Sequence, residues 1–314
     1  MALRSRELWV EILESAQLSY RATGSLHLAY RDDEADVLRE FAEIGPPAGY
    51  KCQWQSARQV LERSAAVRQD GLKGGLWSAL EITVDPRLIV SRLPGYLRGL
   101  GVSIHFETAV HAIHLPRVET SRGPHEADVA LVCSGDDFET LFPSVFRASG
   151  LNRCKLQMMR TATQSDGWQL GPALAAGLTL RFYKAFLICS TLGKLKERIA
   201  SEKPDYERYL IHVLVSQTAD GGITIGDSHE YGQCVSVFNK TAIDDLILDE
   251  ARTFLELPDF RIAERWQGVY STHPEKACFE AEPAPGVRII TGLGGSGMTL
   301  SFGLAERTLN RMGL

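Results

Sequence analysis

Several features are missing from this sequence, and each absence excludes a class of protein. The six cysteines (Cys52, Cys133, Cys154, Cys189, Cys234 and Cys278) stand singly, with no C-x-x-C pair. That pattern argues against a zinc ribbon or a disulfide frame and predicts the reduced thiols of a cytoplasmic protein. No apolar run approaches the roughly 18 residues of a spanning helix, and MALRSRELW has no signal-peptide core, so no membrane partner is expected. Charge of one sign is not in excess: 34 Lys and Arg face 39 Asp and Glu, for a net charge of −5, intermixed along the chain. Without a basic stripe, no nucleic-acid partner is expected either. Internal repeats and low-complexity segments are also absent. What is present is 314 residues, 44% of them hydrophobic, enough for two domains with a sizeable core.

RSRELWVEILESA (4–16) places Trp9, Ile12, Leu13 and Ala16 on one helical face. TGSLHLAY (23–30) predicts a strand, and 32–44 and 56–66 predict helices with Asp or Ser near their starts. VDPRLIVSRLPGYLRGLG spaces Ile89, Leu93, Tyr96, Leu97 and Leu100 as a helix ended by Gly101. VSIHFE (102–107) alternates as a strand, VHAI and RVETS suggest a meander, and ADVALVCSG (127–135) suits a strand buried on both faces of a parallel sheet. GLTLRFYKAF (177–186), YLIHVLVSQT (209–218) and GITIGDSHEY (222–231) alternate as strands of an antiparallel sheet, with helices in TLGKLKERIASE and AIDDLILDEARTFLEL.

The chain closes on VRIITGLGGSGMTLSFGLAE: strand, glycine loop, helix, with Phe302, Ala305, Leu309 and Met312 on one face. That context suits a loop where backbone N–H groups approach an anion or nucleotide. Only 17 residues follow Gly297, however. A dinucleotide-binding unit needs a further strand and an acidic residue about 20 positions on, and neither fits. The strand must therefore join a sheet built earlier, beside ADVALVCSG. A plain turn capping a terminal helix remains the alternative. Met298 stands where a G-x-S-x-G nucleophile elbow needs glycine, which excludes a serine hydrolase.

Taken together, TGSLHLAY, VDPRLIVSRL, FETAVHAI, ADVALVCSG, RWQGVYSTH and ITGLGGSGMTLSFGLAE resemble the FAD-dependent amine oxidases of the D-amino-acid oxidase, glycine oxidase and sarcosine oxidase superfamily. The resemblance covers nearly the whole chain. CKLQMMRT (154–161), GLTLRFYKAF, IGDSHEYG and GGSGMTLSFGLAE resemble its aminophosphonate-catabolism subfamily more closely. The resemblance implies an α/β fold: a Rossmann-like FAD-binding domain (1–16, 71–150 and 263–314) and an inserted α+β antiparallel-sheet substrate domain (17–70 and 151–262). It also implies a departure. Family members begin with a strand, G-x-G-x-x-G and a helix, and this sequence starts near the end of that unit, so the FAD-binding domain is expected to be incomplete, its N-terminal βαβ missing through truncation or a misassigned start.

The activity implied is oxidation of the C–N bond of a small primary or secondary amine resembling 2-aminoethylphosphonate, with O2 reduced to H2O2. A non-catalytic remnant that does not retain FAD is the alternative. FAD is expected against Val110, Gly135, Gly294, Gly295, Ser296, Gly297, Met298 and Thr299, with a plain core role as the alternative for Val110. A phosphonate calls for cations and donors, and strand alternation would set Arg181 and Tyr183 on one face. Arg181, Tyr183, Tyr270 and His273 are therefore the expected substrate shell, and Tyr183, His229, Tyr270 and Lys155 the catalytic candidates. Surface charge for Arg181 and Lys184 and a structural histidine at 229 are the alternatives. Cys189 and Cys234 are the candidates by location for a covalent flavin link, with free thiols as the alternative. His105, His111, His114 and His125 lack fixed ligand spacing, so no metal is expected.

Overall fold

A computed structural model describes residues 1–314. The chain opens on α1 (Ala2–Ser15), which buries Ser5, Trp9 and Leu13 at intervals of four. Next come β1 (Ser25–Ala29) and α2 (Asp32–Ile44), whose first turn carries Asp32, Asp33 and Glu34 at the positive end of the helix dipole. β2 (Cys52–Ser56) runs into α3 (Ala57–Arg63) through a reciprocal Ser56–Gln59 capping box. β3 (Gly74–Ser78) precedes α4 (Pro86–Gly99), which Asp85 caps and Pro86 begins. β4 (Val110–His114), β5 (Arg117–Thr120) and β6 (Gly123–Glu126) form a meander, and β7 (Ala130–Val132) and α5 (Pro143–Ala148) follow. Then come β8 (Asn152–Thr161) and β9 (Ala173–Ala175), two 3-10 turns (Gly177–Arg181 and Lys184–Ile188), α6 (Leu192–Glu202) and α7 (Pro204–Arg208). β10 (Leu214–Gln217), β11 (Ile223–Gly226), β12 (Glu230–Gly232), α8 (Thr241–Phe254) and β13 (Ile262–Thr272) lead to β14 (Phe279–Ala284), β15 (Val287–Thr291) and α9 (Gly297–Met312).

The fold is α/β with mixed sheets. Nine strands form the large sheet in the order β12-β8-β11-β10-β9-β1-β3-β2, with β13 along the free edge of β8. All its pairs are antiparallel except β1 with β9. The 33-residue main core draws Leu26, Leu28, Val215 and Ile225 from this sheet, Val37 and Phe41 from α2, Leu195 from α6, and Ile247 and Phe254 from α8. A smaller sheet, β14-β15-β7, contains the parallel β15–β7 pair and a core of Val132, Phe146, Phe279 and Ile289. Trp9, Leu13, Leu18 and Ile89 form a third cluster, which holds α1 and α4 together and takes in Phe302 of α9.

Four expectations are corrected. VSIHFE forms no strand; Val102 and Phe106 are exposed, so its alternation has no surface to pack on. GLTLRFYKAF forms two 3-10 turns, because Gly177, Leu178, Thr179 and Leu180 are buried consecutively and no two-residue period exists. β7 is buried on one face only, with Leu131 at 41% exposure. Finally, β3 and β13 lie in the nine-stranded sheet, so residues 74–78 and 263–272 sit with the strands of the expected substrate domain.

Candidate functional site

The glycine loop is built by backbone geometry that only glycine adopts easily. Gly292 and Gly294 have φ of +76° and +60°, which turns the chain from β15 into the N-terminus of α9. A buried polar relay pins the turn. The Gly292 N–H donates to Ser271 Oγ (3.0 Å), Ser271 Oγ and Thr291 Oγ1 lie 2.6 Å apart, and Thr291 Oγ1 donates to the Gly135 carbonyl (2.7 Å). This relay joins β13 of the large sheet to the ends of β15 and β7. From the other side α1 clasps the first turn of α9: Trp9 Nε1 donates to the Met298 carbonyl (2.8 Å) and Ser5 Oγ to the Thr299 carbonyl (2.7 Å).

Between the loop, β7 and α9 lies a mostly apolar cavity of about 400 Å³, lined by Leu131, Gly135, Tyr270, Gly292, Gly294 and Gly297 among others. Gly135 and Gly297 face open space, with no atom within 4 Å of where a Cβ would sit. The buried Thr308 hydroxyl in the cavity wall has no hydrogen-bond partner. A glycine cradle, a helix N-terminus and an orphaned hydroxyl around one cavity are the features that a flat, anionic cofactor would use.

Above the loop stands a row of side chains on one face of the large sheet. Strand register places Tyr231 and Tyr270 on either side of Cys154. The Tyr270 hydroxyl reaches over the loop: a Cβ added at Gly295 would lie 3.6 Å from it. Burial, then neighbouring Cys154, raises the Tyr270 pKa well above the ordinary tyrosine value, so the phenol stays a donor. Burial likewise pushes the Cys154 thiol up to about 11. The row continues into a stack of rings. His229 lies 6.1 Å from Tyr231 and 5.1 Å from His212, and Phe182 lies 4.2 Å from His212. Asp227 sits beside them, with Oδ1 3.0 Å from His212 Nε2 and 4.0 Å from His229 Nδ1. Tyr183 stands edge-on to His212 at 6.2 Å, its pKa raised to about 12 by burial and then by Asp227.

The structure thus brings Tyr183, His229 and Tyr270 into one neighbourhood, with Gly294–Thr299 below Tyr270. Gly135 meets the loop through its carbonyl, and Val110 packs against the core beneath β7. Three expected residues stand elsewhere. Lys155 follows Cys154, so its side chain takes the opposite sheet face, buried and donating to the Phe238 carbonyl. Arg181 is a staple, bonded to the carbonyls of Leu178, Tyr206 and Ile211 and paired with Glu207 at 3.0 Å. His273 turns away, its Nδ1 accepting the N–H groups of Glu275 and Lys276. Cys189 is buried with its thiol toward the Val37 carbonyl, and Cys234 is exposed.

Sequence reasoning missed His212, Asp227, Ser271 and Thr291. The signal for the first two was a histidine inside the apolar run YLIHVLV and the acid two residues before His229. His212, Asp227 and His229 bring metal-type ligand atoms within 4.8 Å of one another. The two rings are inclined by only 19°, however, and His229 Nδ1 faces the Leu210 carbonyl at 3.2 Å. Near-parallel stacked rings do not converge their in-plane lone pairs on one ion, so the cluster reads as a carboxylate flanked by imidazoles.

The sequence model of the FAD dependent oxidoreductase family matches residues 1–311. No curated protein matches the chain. Among solved structures, glycine oxidase from Bacillus cereus superposes with a TM-score of 0.74 at 14% identity, covering 96% of this chain and 76% of the other. L-proline dehydrogenase from P. horikoshii gives 0.71 at 17% identity, covering 97% and 76%. FAD-bound L-alpha-glycerophosphate oxidase from Mycoplasma pneumoniae gives 0.70 at 13% identity, covering 99% and 78%. At these identities the structures show a shared fold. No helix is long and apolar enough to cross a membrane.

Proposed function

Because the chain belongs to the FAD-dependent oxidoreductase family, whose model spans residues 1–311, we propose that it oxidises the C–N bond of a small primary or secondary amine to an imine, with O2 reduced to H2O2. FAD is the cofactor of this family, and when bound it accepts the hydride from the carbon next to nitrogen. Gly135, Gly294, Gly295, Ser296, Gly297, Met298 and Thr299 would hold it, the N–H groups at the start of α9 favouring negative charge on the ring. The observation that carries this reading is the Tyr270 hydroxyl standing over Gly295, above a loop whose glycines face an open cavity. The chain's own residues then wall the reacting centre. Tyr270 stands as a hydrogen-bond donor on one side, and His229, buried beside Tyr231, fixes the ring stack behind it.

The subfamily resemblance points to 2-aminoethylphosphonate and its N-methyl form as the first substrates to try, although Arg181 supplies no free cation for the phosphonate. A second reading, a folded chain that does not retain FAD, draws support from Leu131 and Leu309, which stay 41% and 38% exposed on the cavity wall. One experiment separates the two. The purified chain is incubated with FAD, desalted and scanned for the visible bands of oxidised flavin, and peroxide release is then followed with aminoethylphosphonate, glycine, sarcosine and D-amino acids. Retained flavin that is bleached anaerobically by an amine supports the oxidase. A colourless folded protein supports the second reading, and good activity on glycine with none on the phosphonates overturns the subfamily assignment.

A further inference from the structure

Asp227 has no lysine or arginine partner. No lysine or arginine nitrogen lies within 4.0 Å of it; only the imidazoles of His212 and His229 approach. Its backbone is held by a reciprocal pair with His212, the Asp227 N–H donating at 2.7 Å and the His212 N–H at 3.2 Å, so the side chain is fixed in place. His212 Nε2 is near Oδ1 but out of line, so Asp227 Oδ1 is buried with no hydrogen-bond partner, and His212 Nδ1, the other ring nitrogen, is likewise buried without one. His212 itself is only 6% exposed. Leaving buried polar atoms unpaired is unfavourable, so a ligand that pairs them is favoured.

The surroundings specify the charge of that ligand. The rings of Phe182, Tyr183, His229 and Tyr231 gather around the pair. Aromatic faces attract cations, as the carboxylate does. The negative charge of Asp227 bears on Tyr183, Tyr231, Tyr270 and Cys154, in each case opposing a second negative charge. Arg181, a guanidinium whose field reaches His229, is already paired with Glu207. We propose that Asp227, beside the ring stack that leads away from Tyr270, is the ammonium anchor, so that the protein recognises the cationic end of its substrate and leaves any anionic group unbound. The proposal rests on the amine-oxidation reading and narrows it to amines that need no carboxylate or phosphonate for recognition.

The test is calorimetric titration of the full chain with butylammonium, butyrate and propylphosphonate, for the wild type and for Asp227→Asn, an isosteric change that keeps the backbone pair. The expected result is saturable binding of butylammonium, at least tenfold weaker in D227N, with neither anion competing. Equal binding by D227N, preferential binding of either anion, or no binding of butylammonium overturns the proposal. The wild-type competition decides the matter even where D227N does not fold. Intact ammonium binding without flavin reduction by any amine sinks the oxidase reading and leaves the anchor standing, so the two failures are distinguishable.

Discussion

At His27 the ring nitrogen Nε2 is buried without a hydrogen-bond partner. Burial, and then nearby His212, lowers its pKa to about 4 from the ordinary value of 6.5. The unfolded chain therefore binds a proton there between those two values while the folded chain does not, and stability rises with pH across that window. His229, also lowered by burial, acts in the same direction. Urea denaturation at steps from pH 7 to pH 4 should show wild-type stability falling as the acid side is approached, with His27→Gln removing up to about 3 kcal/mol of that fall. Equal slopes for the two proteins would show that His27 is not the titrating group. A second residue-scale prediction concerns Gly177. A Cβ there would overlap Glu34 Oε1, and Glu34 is held by the N–H groups of Tyr30 and Arg31 and by Arg198. Gly177→Ala must displace that carboxylate and should cost about 1–3 kcal/mol in the same assay.

Among the elements, the ones that carry their own signals were readable. α2, α3 and α4 begin at acids, serine or proline, and the structure places them at Asp32, Ala57 and Pro86. GLTLRFYKAF misled because aromatic and apolar residues alternate with polar ones without lying on a sheet; the segment is buried from Gly177 to Leu180 by α2 and α6, a tertiary fact that no local period records. That single error removed Arg181 from the expected site. The clasp between α1 and α9 was equally illegible, since it depends on a close crossing. A Cβ at Gly303 would meet the Met1 carbonyl at 2.8 Å and Ser5 Cβ at 2.9 Å. Gly303→Val should force the helices apart and cost about 1–3 kcal/mol by thermal unfolding. It should also loosen the Met298 and Thr299 carbonyls from Trp9 and Ser5, so an FAD titration of the same variant should show weaker binding. Unchanged affinity would mean that the clasp serves stability alone.

For the whole molecule, the question is how two sheets with separate cores hold one loop between them. Periodicity could place the strand before the loop and the helix after it, and the family resemblance suggested FAD as a ligand for the loop. Neither could reveal Ser271 and Thr291, which are ordinary strand residues until the chains cross. Their relay runs from Gly292 through Ser271 and Thr291 to Gly135, every link buried or nearly so. It is the polar joint between the nine-stranded sheet and the parallel pair. Thr291→Val keeps the shape but removes the hydroxyl, leaving the Gly135 carbonyl and Ser271 Oγ without their partner. Two such losses should lower stability by about 2–4 kcal/mol. The more discriminating readout is the loop itself. Because Gly292 hangs from Ser271, hydrogen exchange at Gly292 through Met298 should quicken in T291V well before the exchange of α8, and FAD affinity should fall at least tenfold. A uniform speeding of exchange across α8 and the loop would instead show that the relay stabilises the fold globally and does not hold the loop for the cofactor.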